Sequence, residues 1–163
     1  MPGKQAKILS DQQIEDLLFF AKTTRNPDRN RVIVLLSVKA GLRAAEIANL
    51  TWPMIVEPTG EVSSHIELRD HAAKMGSGRI VPMNALLHEA LVAWRIRNPD
   101  DGSVISSERG ARMTPLSIVI WFARAYKALG LDGALRIQGA ARLSPGQLGS
   151  FIKPAAHCVT FSY

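Results

Sequence analysis

The sequence predicts a mainly α-helical fold with a small antiparallel β-sheet. Four segments repeat apolar residues at helical spacing, and two short extended segments flank a glycine-containing loop. The 163 residues are 47% hydrophobic and 21% charged. This composition is typical of one globular domain that is large enough to bury a core.

The first helices can be placed from their caps and periodicity. Ser10, with a glutamine three residues later, predicts the N-cap of a helix over residues 11–23. A second helix over residues 29–39 is apolar on nearly every face, which predicts a central, buried position. Gly41 is expected to end this helix as its C-cap, and a short helix carrying Arg43 follows.

The later elements are two strands and two helices. Residues 62–68 and 79–83 are predicted to pair as an antiparallel hairpin. Apolar residues at helical spacing over 86–94 predict a third long helix. Thr114 followed by Pro115 predicts the start of a last helix, with the threonine as its cap.

Charge favours an anionic partner, above all nucleic acid. The formal net charge is +6 and the isoelectric point is about 9.9. The sequence has no apolar run near the ~20 residues of a membrane span, and its first residues lack the apolar region of a secretory signal. Cys158 is the single cysteine, so no internal disulfide can form. These features predict a cytoplasmic protein that does not associate with membranes.

The isolated histidines predict no metal site, and the tryptophans are expected to serve packing. The histidines lack the spacing of metal ligands: His65, His71 and His88. The tryptophans fall where core aromatics are expected: Trp52, Trp94 and Trp121.

The most informative stretch is residues 40–50, Ala-Gly-Leu-Arg-Ala-Ala-Glu-Ile-Ala-Asn-Leu. Arg43 and Glu46 are three residues apart and are expected on one helical face, with Ile47 and Leu50 on the core-facing side. An arginine steadied by a carboxylate is suited to bidentate binding of a phosphate. An ordinary surface ion pair at the start of a helix explains the same residues.

Three segments resemble the tyrosine recombinases, the phage integrase family. Residues 41–50 resemble the first arginine box of that family. Lys74, a glycine-containing turn and residues 79–83 resemble its β-hairpin lysine and the strand after it. Thr114-Pro115 at a helix start, followed by Leu-Gly-Leu at 129–131, resembles the approach to its second box. The three matches follow the family's order over residues 9–132.

The resemblance implies cleavage and rejoining of DNA by a tyrosine through a 3′-phosphotyrosyl link, without a cofactor. In that family two arginines and a histidine or tryptophan stabilise the pentavalent phosphorus, and the hairpin lysine protonates the departing 5′ oxygen. By this resemblance Arg43 is a phosphate clamp, Glu46 its orienting carboxylate and Lys74 the general acid. Further arginines are expected to hold backbone phosphates: Arg69, Arg79 and Arg112.

Simpler interpretations stay open for two of these residues. Lys74 is also explained as a solvated hairpin lysine, and Arg79 as one partner of a pair across the hairpin. The resemblance further implies a homo-oligomer on DNA for a full-length protein, and no small-molecule cofactor.

The chain departs from the family pattern after Asp132. Residues 135–142 contain no His-x-x-Arg box, and His157 and Tyr163 lie too close together to match the family's histidine and nucleophile. No acidic residue follows Asp132. We therefore expect a partial catalytic domain over 1–132 and an aberrant, poorly ordered tail over 133–163. A shifted reading frame would explain the tail, because suitable codons for 135–142 encode a His-x-x-Arg box two bases later.

Two other functional classes fit parts of the sequence. Residues 39–48 also resemble the front of a helix-turn-helix motif in a non-enzymatic regulator. That motif needs a recognition helix after Leu50, which Trp52-Pro53 argues against. The third class is a basic scaffold with no role on DNA, which would lack a salt-dependent affinity for duplex DNA.

We expect this chain to form no covalent adduct with DNA. Arg43 and Lys74 supply only part of the site, and the residues of one site act as a unit. A suicide substrate nicked near the scissile phosphate would trap any phosphotyrosyl adduct as a slower band on a denaturing gel. A band that disappears in Tyr163→Phe would contradict this expectation.

Overall fold

The computed structural model describes residues 9–69 and 78–131 of the chain. Its elements in chain order are α1 (Asp11–Lys22), α2 (Pro27–Val38), α3 (Ala44–Asn49), a 3₁₀ turn (Trp52–Met54), β1 (His65–Leu68), β2 (Arg79–Pro82), α4 (Ala85–Arg97) and α5 (Pro115–Ala128). The predicted fold class, mainly α with a small antiparallel sheet, is confirmed. Within the described ranges no helix has the length and apolar character needed to cross a membrane. The predicted tail, residues 133–163, lies outside the described residues.

Side-chain caps begin three of the helices, and the sequence predicts two of them, Ser10 and Thr114. The Ser10 hydroxyl accepts the Gln13 backbone N–H at 3.2 Å, and the Gln13 side chain accepts the Ser10 backbone N–H at 2.9 Å. This reciprocal capping box fixes the start of α1. Asn84 and Thr114 accept N–H groups in the same way at the starts of α4 and α5.

Helix α2 lies at the centre of the domain and packs against α1, α3 and α4. Its apolar residues from Val32 to Leu36 are fully buried, which confirms the predicted central position. The helix begins at Pro27, two residues before the predicted start, because proline without an N–H suits the first helical position. Gly41 follows its end with φ 66°, a left-handed conformation that glycine adopts without strain.

The sheet is a two-stranded antiparallel hairpin. Ile66 lies opposite Val81 and Leu68 opposite Arg79. Ile66 and Leu68 are buried, so one face of the hairpin is turned to the core. The predicted strand over 62–68 is too long at its start. Val62 instead forms an isolated antiparallel bridge with Val56. The residues between them form a small turn that is separate from the β1–β2 hairpin.

The connection between α4 and α5 also contains a hairpin that the sequence does not predict. Ser103 bridges to Thr51, and Ser106 bridges to Arg112. Only a short extended piece at 104–105 is apparent from the sequence, because residues 106–112 carry no apolar alternation.

The three tryptophans pack as predicted. Trp52 is 1% exposed. The Trp94 indole N–H donates to the Val104 carbonyl at 2.8 Å. Trp121 meets Phe122 edge to face, with ring centroids 5.2 Å apart. All three therefore contribute to the core or its border.

Leu35→Ala in α2 is expected to lower the free energy of unfolding by about 2–5 kcal/mol, because it leaves a cavity at a fully buried site. Urea denaturation followed by circular dichroism measures this change. Ile96→Ala is the matched control, since Ile96 is 77% exposed on α4, and should change stability by less than about 0.5 kcal/mol. Equal losses in the two variants would contradict the central position of α2.

Candidate nucleic-acid interface

Helix α3 divides into a polar face and a buried face. Arg43, Glu46 and Asn49 are spaced three residues apart along it, so they follow one side of the helix. Ile47 and Leu50 are fully buried on the other side, as predicted. The sequence therefore holds the polar face of α3 at the surface by burying the opposite one.

Glu46 is the centre of this polar face. Its residue is 5% exposed, and its carboxylate accepts the backbone N–H of Arg43 at 2.8 Å. The guanidinium of Arg79 donates through Nη2 to both carboxylate oxygens, at 3.1 and 3.0 Å. A buried carboxylate requires such donors to offset its lost hydration. Glu46 thereby joins the start of α3 to β2.

The expected support of the Arg43 side chain by Glu46 is wrong in its detail. Arg43 is the N-cap of α3, in an extended conformation with φ −76° and ψ 157°. Its backbone amide, rather than its guanidinium, therefore meets the carboxylate. The Arg43 side chain is exposed. It forms no hydrogen bond or ion pair with any residue in the described ranges.

The register of the hairpin explains how Arg79 reaches Glu46. Arg79 lies opposite the buried Leu68, and cross-strand partners point to the same face of a sheet. Arg79 is thus on the core-facing side of β2, with 48% of its side chain exposed. The simpler interpretation of Arg79, a pair across the hairpin, is wrong, because the carboxylate that it contacts is on α3.

Arg112 contacts the far end of the same polar face. Its Nη1 donates to the side-chain oxygen of Asn49 at 2.8 Å, and the arginine is otherwise exposed. No sequence signal predicts this contact, because the two residues are 63 positions apart.

Of the other predicted residues of the site, Arg69 lies within the described residues and Lys74 does not. Arg69 is exposed and directly follows β1, at the end of the hairpin where Arg79 begins β2. Lys74, the predicted general acid, lies outside the described residues. The structure therefore brings Arg43, Glu46, Arg79 and Arg112 together around α3, and it leaves the place of Lys74 unassigned.

Tyr126 lies within the described residues but is not placed to attack DNA. It is 4% exposed in α5, and its ring packs near Phe122. Burial also raises the pKa of the Tyr126 phenol above its ordinary value. A phenol buried in the core is not positioned to approach a phosphate.

Comparison with known families decides the affiliation. The profile of the phage integrase family matches residues 7–145. This chain belongs to the phage integrase family. The match extends beyond Asp132, where the motifs recognised in the sequence end. No curated protein is significantly similar in sequence to this integrase-family chain.

Solved structures share its fold. The XerA recombinase superposes with a TM-score of 0.62 at 23% identity, covering 80% of this chain and 45% of XerA. A lambda integrase tetramer bound to a Holliday junction gives 0.58 at 19% identity, covering 76% and 36%. The Tn1549 transposon integrase in complex with transposon right end DNA gives 0.57 at 21% identity, covering 80% and 47%. This integrase-family chain spans less than half of the length of each.

The helix-turn-helix alternative finds no support. A recognition helix would have to follow α3 directly. Over residues 50–69 the structure has a 3₁₀ turn, an isolated bridge and β1, and no α-helix. The part of the chain that resembled this motif therefore lacks its second half.

Arg79→Met is expected to lower the free energy of unfolding by about 1–3 kcal/mol, because the buried Glu46 carboxylate loses its charged donor. Arg112→Met is the matched control. It removes a donor only from the half-buried side-chain amide of Asn49, so it should lower the free energy of unfolding by less than about 1 kcal/mol. Urea denaturation compares the two.

A double-mutant cycle tests whether the Arg79 effect passes through Glu46. The cost of the Glu46→Gln/Arg79→Met double variant should be smaller than the sum of the single costs, because the residues contact each other. Strictly additive costs would contradict the pairing.

Proposed function

We propose that this chain binds duplex DNA as part of a tyrosine-recombinase catalytic domain, with the polar face of α3 against the phosphate backbone. The observation that carries the proposal is the exposed Arg43 guanidinium, which has no partner among the described residues. Two further arginines, Arg79 and Arg112, are held on the same face of α3. Membership of the phage integrase family supports a role in DNA recombination and integration.

The three arginines have donors available for phosphate oxygens. A guanidinium carries five N–H donors, and Arg43 uses none of them on a described residue. Arg79 uses only Nη2 and Arg112 only Nη1 within the described ranges. Each of the three can therefore donate to an oxygen of a phosphate, and Arg43 can do so with two parallel bonds.

The catalytic roles follow the family chemistry as part of the same proposal. In a complete site of this family, Arg43 is proposed to stabilise the charge of the pentavalent phosphorus, and Glu46 to position Arg43 through its backbone amide. Lys74 is proposed as the general acid for the 5′ oxygen in such a site. Arg69 is proposed to hold a backbone phosphate next to the hairpin. The chain is proposed to bind DNA without cleaving it, since no matched His-x-x-Arg box or tyrosine is found in its sequence.

Other solved members suggest which partners to test. The matched lambda integrase structure is a tetramer on a Holliday junction, and the Tn1549 integrase structure holds transposon end DNA. Self-association on DNA is accordingly an expectation for this chain.

Titration of a fluorescent duplex at several salt concentrations tests the function. We expect weak, largely sequence-independent binding whose affinity falls steeply as salt rises, because each neutralised phosphate releases counterions. Arg43→Ala should reduce the slope of log affinity against log salt by about 0.9, the contribution of one phosphate contact.

Arg97→Ala is the control with the same loss of charge. Arg97 is on α4 and pairs with Asp28 of α2, away from α3, so its removal should leave the slope unchanged. No binding at low salt would refute the proposal, and so would equal effects of the two substitutions.

A further inference from the structure

The segment that carries Arg112 is a small hairpin over residues 103–113, here named the Arg112 hairpin. Ser106 and Arg112 face each other across it in an antiparallel bridge. Its turn is closed by a bond from the Ser107 N–H to the Ala111 carbonyl at 2.7 Å, and Gly110 supplies a positive φ of 78°.

The base of the Arg112 hairpin is attached to the chain that leaves α3. The Val104 N–H donates to the Leu50 carbonyl at 3.0 Å, and the Trp52 N–H donates to the Gly102 carbonyl at 3.1 Å. These bonds fix the base of the hairpin beside α3, at Gly102 and Val104. Ser106, the bridge partner of Arg112, is two residues further towards the turn and takes no part in them.

A buried arginine contacts the hairpin from the opposite side. Arg29, in the first turn of α2, is only 9% exposed. Its Nη1 donates to the carbonyl of Ser106 at 3.2 Å. Its Nε and Nη2 both donate to the side-chain oxygen of Asn30 at 3.1 Å, and Asn30 in turn donates to the Thr24 hydroxyl at 2.7 Å.

This arrangement is costly for an arginine that serves packing alone. Burial removes water from the guanidinium and lowers the pKa of Arg29, an effect that the charge of Glu108 opposes. An apolar side chain of similar length would fill the same space without that desolvation. The guanidinium adds rigid donors that hold a main-chain carbonyl in one position.

We propose that Arg29 is a positioning residue for DNA binding. It holds Ser106 in place, so that Arg112, the bridge partner of Ser106, is presented on the α3 surface. The proposal rests on the proposed function, because it assigns Arg112 a phosphate contact. Arg29 itself is buried beneath the hairpin and does not contact DNA.

The other contacts near the tip of the hairpin are too exposed to replace Arg29. Glu108 near its tip accepts a bond from the Asn26 side chain at 3.0 Å and pairs with Arg25 at 3.2 Å. The side chains of Arg25 and Glu108 are 84% and 45% exposed. Water and salt screen such pairs, so they hold a loop only weakly.

The first arm of the test uses hydrogen exchange without DNA. In Arg29→Met the amides of Ser107 and Met113, which are bonded within the hairpin, should exchange at least about tenfold faster, while amides of α5 keep their rates. Arg25→Met removes the same charge from an exposed site and should leave the hairpin amides protected. Unchanged hairpin exchange in Arg29→Met would overturn the proposal.

The second arm measures the salt dependence of duplex binding in a double-mutant cycle. Arg29→Met and Arg112→Ala should each reduce the slope by about 0.9, and the double variant should lose no more than either single one. Arg25→Met should not change the slope. Additive losses, or an unchanged slope in Arg29→Met, would overturn the proposal, because a purely structural Arg29 leaves the phosphate contact in place.

Arg29→Lys is the second variant if Arg29→Met does not fold. Lysine keeps the charge but lacks the planar guanidinium that reaches both Asn30 and Ser106. Hairpin exchange should therefore become faster and the salt slope smaller, as in Arg29→Met. If Arg29→Lys kept the wild-type exchange rates and salt slope, the positioning role would be overturned. Failure of the proposed function can be told apart, because the wild-type protein itself would then show no salt-dependent binding. That result would overturn both the proposed function and the role of Arg29.

Discussion

The buried carboxylate of Glu46 is the interaction on which the arrangement of the surface depends. A carboxylate removed from water must be surrounded by donors, and here they come from two separate elements, the Arg43 backbone and the Arg79 guanidinium. The need to satisfy one charge therefore fixes the start of α3 and sets β2 beside it. Because β2 pairs with β1 in a single register, this contact adds to the burial of Ile66 and Leu68 in holding the hairpin beside α3.

The arginines around α3 differ in how firmly they are held. Arg79 and Arg112 are restrained by Glu46 and Asn49, so binding an anion costs them little side-chain entropy. Arg43 is free of described partners and keeps its full set of donors. Such a surface suits a polyanion. The two restrained arginines can set the position of the polyanion, and the Arg43 side chain can adjust to it.

The sequence predicts those features that are determined by neighbours along the chain. Helical periodicity and caps report local burial and local hydrogen bonds, so the helices and the turn at Gly41 are confirmed by the structure. The pairing of Arg79 with Glu46 spans 33 positions and that of Arg112 with Asn49 spans 63. Neither has a local signal, because each depends on how the hairpins pack against α3. The residue types could thus be selected from motifs, but their partners could not.

The use of Glu46 also decides how much positive charge the polar face of α3 keeps. An ion pair between Arg43 and Glu46 would have neutralised both charges within one turn of helix. Instead Glu46 neutralises Arg79, and the polar face keeps three guanidiniums against one carboxylate. Two positive charges remain there uncompensated by described residues, in a chain whose net charge is +6. Like charges on one surface repel one another. That repulsion is relieved when an anion lies between them, as a phosphate backbone would.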